Sequence, residues 1–139
     1  MIALAEWKDQ TEILALDRHL PPDRLRECIG NGQVYVLRDG NIDCGRIVGV
    51  LRYSFFWQTI PFLDLLYLEE SYRRRGYGTG MMQTWEKDMA NRGYRYVMTS
   101  TQADESAWRF YEKLGYRKTG GFFPPEQTAE ELIYGKALL

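Results

Sequence analysis

EESYRRRGYGTG, at residues 69–80, is a polar and then glycine-rich turn between an apolar run at 60–68 and an amphipathic stretch at 81–92. The apolar run is strand-like and the later stretch has helical spacing, so the glycines fall where a strand ends and a helix begins. Helix N-termini carry unpaired N–H groups, and glycines let an anion approach them closely. Three consecutive arginines suit a phosphate better than a carboxylate. The turn therefore predicts an anion-binding loop, although a solvated basic loop with turn glycines would have the same composition.

Length and composition are those of an ordinary globular protein. The 139 residues are 45% hydrophobic and 27% charged, with a formal net charge of −1, which predicts one domain over residues 1–139 and no nucleic-acid-coating surface. Cys28 and Cys44 are too few for a disulfide framework and lack the spacing of a metal site. No apolar run approaches the roughly 18 residues of a membrane span, and Glu6 and Asp9 are atypical of a signal segment. We therefore expect a soluble, cytoplasmic protein with no membrane, nucleic-acid or metal partner.

Hydrophobic periodicity and turn signals predict the elements on either side of the turn. Strands are predicted at 1–7, 33–38, 45–53, 60–68, 94–100, 116–123 and 131–137. Helices are predicted at 8–19, between Pro22 and Gly30, at 81–92 and at 105–114, the last capped by Asp104. The order β-α-α-β-β-β-α-β-α-β-β predicts a mixed α/β class, with an antiparallel first half, a hairpin turn at 39–41 and a βαβ unit in the second half.

Two common phosphate-binding devices do not fit the turn. A P-loop needs a Gly-Lys-Ser/Thr ending, and neither a lysine nor that spacing is present. A dinucleotide-binding fingerprint should follow the first strand and precede a carboxylate by about 20 residues, whereas this turn is mid-chain and residues 96–100 contain no carboxylate. An Arg-x-x-Gly-x-Gly loop that receives a pyrophosphate on main-chain N–H groups remains.

Three segments of the chain together resemble a known family. They are LDLLYL at 63–68, RRRGYGTG at 73–80, and Asp104 followed by AWRFYEKLGY at 107–116. In this order and spacing they are similar to the acetyl-CoA-binding motif and the following helix motif of the GCN5-related N-acetyltransferases. The predicted order of elements is also that of the family, so the resemblance implies a GNAT-like acyl-CoA N-acyltransferase fold over nearly the whole chain.

The resemblance implies how acetyl-CoA, the co-substrate, would be held. Arg73, Gly76 and Gly78 take the fixed positions of the pyrophosphate loop, whose main-chain N–H groups belong to Arg74, Arg75, Gly76, Tyr77, Gly78 and Thr79. Main-chain groups of a bulged strand end pair with the pantetheine amides in the family, and Leu66, Tyr67 and Leu68 occupy that place. Asp104 stands where the family usually has a CoA-contacting asparagine.

The resemblance also implies catalytic roles. Tyr111 occupies the position of the tyrosine that points at the cofactor sulfur, so it is the candidate general acid for the departing thiolate, with an ordinary core aromatic as the alternative. Many relatives carry a glutamate near the position of Phe62, which is absent here. Asp64, predicted to be partly buried, is the first candidate for the base, and Glu69 or Glu70 are weaker ones. A water relay or an amine that arrives deprotonated is an equal alternative.

The acceptor is expected to be a primary amine. The resemblance places it among the early helices, the turn at 55–58 and the loop at 122–131, where aromatic rings and Glu126, Glu130 and Glu131 suit a cationic amine with an apolar body. We predict a small molecule such as an antibiotic or polyamine, with a peptide amine as the next choice, and a monomer or homodimer. A non-catalytic acyl-CoA-binding module and an RNA- or phosphopeptide-binding domain remain open alternatives.

Overall fold

The computed structural model describes residues 1–40 and 44–138. Its strands are β1 (Ile2–Leu4), β2 (Val34–Arg38), β3 (Ile47–Phe56), β4 (Ile60–Leu68), β5 (Tyr96–Gln102), β6 (Arg117–Phe122) and β7 (Glu131–Ala137). Its helices are α1 (Gln10–Leu16), α2 (Pro22–Gly30), α3 (Tyr77–Asn91) and α4 (Ala107–Lys113), with one-turn 3-10 helices at Trp7–Asp9 and Glu70–Tyr72. In the part of the chain so described, no helix is long and apolar enough to cross a membrane.

The predicted order of elements is confirmed, and the differences lie at element ends. β4 and β7 have the predicted bounds, whereas the first helix ends at Leu16 because the next residue is extended (φ −104°, ψ 102°). β3 continues to Phe56 and β4 begins at Ile60, so the turn predicted at 55–58 comprises residues 57–59, with positive φ at 57 and 58. Of the hairpin turn predicted at 39–41, residue 41 lies outside the described residues. α3 begins at Tyr77, four residues before the predicted start.

The strands are hydrogen-bonded in the order β1-β2-β3-β4-β5-β7-β6. β2 pairs antiparallel with β1 and with β3, and β7 pairs antiparallel with β5 and with β6. β4 pairs parallel with β5, and a parallel pair needs a crossover connection, which α3 provides. The predicted antiparallel first half and the β4-α3-β5 unit are therefore confirmed.

One compact unit comprises Met1–Ser54 and Leu65–Trp85. Two buried ion pairs join the α1 region to its strands: Asp9 Oδ1 lies 2.7 Å from Arg38 Nη2, and Asp17 Oδ2 lies 2.7 Å from Arg52 Nε. Burial alone would raise the pKa of Asp9, but the N–H of residue 6 and the Arg38 guanidinium outweigh it and lower that pKa. These pairs accompany an apolar cluster formed by Ala5, Ile13, Leu25, Ile29, Val34, Val36, Ile47 and Val50.

The other unit comprises Phe55–Asp64 and Glu86–Leu139. Glu86 is 8% exposed and accepts hydrogen bonds from the Tyr116 hydroxyl at 2.7 Å and the Lys136 ammonium at 2.8 Å. Tyr134 donates to Glu112 Oε2 at 2.8 Å. The buried Glu86 carboxylate is thus paired with a tyrosine hydroxyl and a lysine, as a buried charge must be to avoid a large desolvation cost, whereas Glu112 is exposed.

Candidate active site

Two residues of the segment 73–76 have left-handed backbone conformations. Arg73 is extended (φ −77°, ψ 156°), whereas Arg74 and Gly76 have positive φ angles of 59° and 86°. Such changes of hand turn successive main-chain N–H groups toward one side, an arrangement called a nest. A non-glycine residue in the left-handed region costs about 1–2 kcal/mol, so neighbouring contacts must hold Arg74 there. We refer to residues 73–76 as the nest.

The nest leads directly into the first turn of α3. This helix has 15 residues, and its first hydrogen bond runs from the Gly80 N–H to the Gly76 carbonyl at 3.1 Å. The N–H groups of residues 77–79 precede that bond and belong to the set that lacks intrahelical partners. Gly78 and Gly80 are therefore helical residues rather than loop residues, which corrects the predicted helix start. The positive end of the α3 dipole adds to the nest.

Only one of these glycines is required by backbone conformation. A Cβ at Gly76 would meet no atom within 4 Å, so its φ of 86° is the reason for glycine. A Cβ at Gly80 would lie 3.7 Å from Ile2 Cδ1, an ordinary contact. Substitution at these two positions should therefore have opposite effects.

The three arginine side chains are engaged within the turn itself. Arg73 donates from Nε to the Leu68 carbonyl at 2.8 Å and from Nη1 to Glu70 Oε2 at 2.9 Å. Arg74 Nη2 lies 3.1 Å from Glu70 Oε1. Arg75 donates to the carbonyl of residue 71 at 3.1 Å and stacks on the rings of Tyr72 and Tyr77. Each guanidinium thus has at least one N–H engaged within the turn.

β4 leads into this turn beyond a short ladder with β5. The ladder consists of the pairs Phe62–Met98 and Leu63–Thr99, and β4 continues to Leu68. Residues 65–68 are partly exposed. The arrangement fits the prediction that the main chain of residues 66–68 pairs with ligand amides, with the reservation that the Leu68 carbonyl already accepts the Arg73 hydrogen bond.

Tyr111 lies in α4 and is 7% exposed. Its ring packs edge-on against those of Phe110 and Tyr116, at centroid distances of 5.3 and 5.7 Å. Burial raises the pKa of Tyr111 to about 12, and its interaction with the Thr99 side chain acts in the opposite direction. The Thr99 hydroxyl donates to the Leu63 carbonyl at 3.1 Å. The phenol therefore keeps its proton at neutral pH and lies beside the β4–β5 ladder.

The contacts of Tyr116 were not predicted. Its hydroxyl reaches Glu86 across 30 residues of sequence, and the Lys136 ammonium lies 5.5 Å from its ring centroid. The sequence did contain a sign that Glu86 is buried, since it lies four residues after Met82 and three before Met89 and so falls on the apolar face of the helix. This network is a structural support for the ring against which Tyr111 packs.

The predicted carboxylates occupy different environments. α4 begins at Ala107 with Ser106 at the N-cap, so the prediction that Asp104 caps it is wrong; a turn bond from the residue 105 N–H to the residue 102 carbonyl delays the helix. Asp104 is exposed in that turn. Asp64 is exposed rather than partly buried, because its side of β4 faces outward at that position.

Glu69 and Glu70 were the weaker candidates for the base, and both are ion-paired. Glu69 lies 2.6 Å from Arg46, and Glu70 joins Arg73 and Arg74. Guanidinium N–H groups occupy oxygens of both carboxylates, so accepting an amine proton would require these contacts to break. Neither residue has the contacts expected of a general base.

Two segments predicted to line the acceptor site expose aromatic rings. Trp57, at the β3–β4 turn, is 77% exposed and its ring centroid lies 4.7 Å from that of Phe56. Phe122 and Phe123, at the end of β6, are also exposed. In the loop that follows, Gln127 donates to the residue 129 carbonyl and to Glu131 Oε1. These rings and carboxylates could contact a cation with an apolar body.

Comparison with known proteins identifies relatives of the chain. The family model described as "Acetyltransferase (GNAT) family" matches residues 2–116. No curated protein matches the sequence.

Solved structures share the fold at low sequence identity. Ard1 from Thermoplasma volcanium has a TM-score of 0.84 and 18% identity, covering 100% of this chain and 97% of its own. The ribosomal-protein-S18-alanine N-acetyltransferase from Escherichia coli has a TM-score of 0.80 and 14% identity, covering 99% and 93%. N-acetylglutamate synthase from Neisseria gonorrhoeae, solved with coenzyme A and N-acetyl-glutamate, has a TM-score of 0.81 and 15% identity, covering 100% of this chain and 35% of that longer one.

Proposed function

Because the chain belongs to the GNAT acetyltransferase family, whose members use acetyl-CoA, we propose that it transfers the acetyl group to the primary amine of a small molecule. The observation that carries this proposal is the nest at residues 73–76 followed at once by the N-terminus of α3. That arrangement concentrates main-chain donors at one place, as recognition of a diphosphate requires.

The residues of the turn fit a CoA diphosphate. The main-chain N–H groups from Arg74 to Thr79 form the nest and the open first turn of α3, and they receive the phosphate oxygens. Gly76 is necessary because a side chain would disfavour its backbone conformation. Leu66 and Tyr67 are partly exposed, and their main chain holds the pantetheine amides.

Tyr111 is the proton donor at the sulfur. Acetyl-CoA supplies a thioester whose carbon forms the new C–N bond and whose C–S bond breaks. A phenol with a pKa of about 12 is fully protonated at neutral pH. Against a thiol with a pKa of about 8.5, complete proton transfer is uphill by roughly 5 kcal/mol, so Tyr111 acts mainly by hydrogen-bonding the developing thiolate.

The amine proton leaves by another route. Asp64, the first candidate for the base, is exposed on β4, so water competes with its carboxylate for the amine proton. An amine that binds in its neutral form, or one that passes its proton to water, needs no dedicated side chain. We therefore assign Asp64 at most an auxiliary role.

The acceptor proposal depends on the exposed aromatic rings and the acidic loop. Trp57, Phe122 and Phe123 expose ring faces, and Glu126 is exposed in the loop before β7. This combination suits a polyamine or an aminated antibiotic. A peptide amine is the second candidate, because the solved structures that share the fold include the S18-alanine N-acetyltransferase and Ard1.

A thiol-release screen tests the proposal. Acetyl-CoA is incubated with the protein and a panel of polyamines, aminated antibiotics and short peptides with free N-termini, and CoA thiol is quantified. We expect release that depends on a small-molecule amine. Release only with peptides would favour the second candidate, and acetyl-CoA binding without release would favour a non-catalytic module.

Tyr111→Phe tests the proton donor in the same assay. We expect kcat to fall about 10- to 100-fold with an unchanged Kd for CoA, because one transition-state hydrogen bond is lost. Tyr134→Phe is the matched control, since it removes another buried tyrosine hydroxyl with a pKa of about 12. Equal kcat values for Tyr111→Phe and the wild-type protein would refute the assignment.

A further inference from the structure

Glu70 and Arg73 form an internal brace for the nest. Arg73 contacts three groups: the Leu68 carbonyl at 2.8 Å, Glu70 Oε2 at 2.9 Å, and the Tyr67 ring, whose centroid lies 5.5 Å from its Cζ. Leu68 is the last residue of β4, and Glu70 begins the 3-10 helix that follows. One guanidinium therefore connects the end of the strand to the turn.

The same carboxylate holds the strained residue of the nest. Glu70 Oε1 lies 3.1 Å from Arg74 Nη2, and Arg74 has a φ of 59°. Each oxygen of Glu70 thus binds a different arginine, and the two arginines flank the change of backbone hand. If either contact is lost, Arg74 can relax to the right-handed region, and the main-chain N–H groups no longer point to one side.

We infer that Glu70 and Arg73 are positioning residues that hold the nest in the conformation that binds CoA. The inference rests on the proposed CoA site. Protein acceptors engage the Nε–H and one Nη1–H of Arg73, which fixes the guanidinium between the end of β4 and the turn. Arg73 is also less exposed than Arg74, with 42% of its side-chain surface accessible against 78%.

The sign of one substitution separates this role from simple electrostatics. Glu70 is an anion beside the proposed site of a polyanionic ligand, so charge alone predicts that Glu70→Gln tightens CoA binding. A brace predicts the opposite, because glutamine replaces one of the two carboxylate oxygens with an NH2 donor, which cannot accept the hydrogen bond of the second arginine. Glu69→Gln is the matched control: its carboxylate binds Arg46 at 2.6 Å and makes no contact with the nest arginines among the described residues.

The experiment is calorimetric titration of CoA into the full chain. We expect Glu70→Gln to weaken CoA binding about five-fold or more, the factor that corresponds to the conformational cost of a left-handed non-glycine residue, and Glu69→Gln to bind as tightly as the wild-type protein or more tightly. Arg73→Lys keeps the charge but cannot reach both acceptors, and it should weaken binding as Glu70→Gln does.

Two different results would contradict different parts of this account. If the wild-type protein binds CoA and the Glu70→Gln variant binds it equally well or more tightly, the brace is wrong and the CoA site stands. A folded wild-type protein that does not bind CoA would overturn both the proposed function and the inference. Urea unfolding of each variant checks that the fold is retained, which is expected because the Glu70 side chain is 71% exposed.

Discussion

Gly76→Ala isolates the backbone conformation of the nest. A Cβ at this position meets no atom within 4 Å, so no clash contributes, and the whole effect comes from placing alanine at a φ of 86°. That placement costs about 1–2 kcal/mol, and the smaller entropy of the unfolded alanine chain returns about 0.4–1 kcal/mol. We expect a net cost of roughly 1 kcal/mol. If the nest keeps its shape, this cost lowers the free energy of unfolding; if the nest relaxes, the cost is met when CoA binds and the Kd for CoA rises.

The assay combines urea unfolding with calorimetric titration of CoA. Gly80→Ala is the control, since Gly80 is helical and its Cβ would make an ordinary 3.7 Å contact with Ile2. Alanine is favoured over glycine inside a helix by up to about 1 kcal/mol, so Gly80→Ala should stabilise the protein and leave the Kd for CoA unchanged. A Gly76→Ala protein as stable as the wild type and with the same Kd for CoA would refute the reasoning.

Three further outcomes concern stability. Asp9→Ala should lower the free energy of unfolding by about 3 kcal/mol, because it leaves the buried Arg38 charge unpaired. In the wild-type protein the pKa of Asp9 is lowered, so its contribution to stability is present above pH 3.8 and is lost as the pH falls through the pKa of the folded state. Urea titrations from pH 7 to 3 would detect this loss. The pKa of Tyr111 is raised from 10 to about 12, so its contribution is present below pH 10 and is lost as the pH rises toward 12, and Tyr111→Phe should flatten the alkaline decline measured by circular dichroism. Gly49→Ala places a Cβ 2.7 Å from Leu68 Cδ2 and should destabilise the protein by about 1–3 kcal/mol. If Gly49→Ala lowers the free energy of unfolding of a Leu68→Ala protein by the same amount, this contact is not the cause.

The strands were the most predictable part of the fold. The apolar run at 60–68 and the apolar residues within 131–137 predicted the observed bounds of β4 and β7, because short apolar runs bounded by turn signals are typical of strands. The start of α3 was missed, since Gly78 and Gly80 are typical of loops and the tertiary context overrides that preference here. Element ends depend on such non-local terms more than element interiors do.

The glycine-rich turn was predictable and its internal contacts were not. Arg73 and Gly76 were singled out by spacing, but the bond from Arg73 to the Leu68 carbonyl depends on the path of the chain between them. Likewise, Ser106 rather than Asp104 precedes α4, because a backbone turn postpones the helix. The contact of Tyr116 with Glu86 joins residues far apart in sequence, which single-sequence periodicity cannot pair.

The most direct test of the account is a crystal structure of the protein with CoA. We expect the diphosphate oxygens to lie about 2.7–3.2 Å from main-chain nitrogens of Arg74 to Thr79, with Arg73 still bonded to the Leu68 carbonyl. A diphosphate bound away from the nest, or held by the arginine side chains while the N–H groups of the nest point elsewhere, would contradict the central claim.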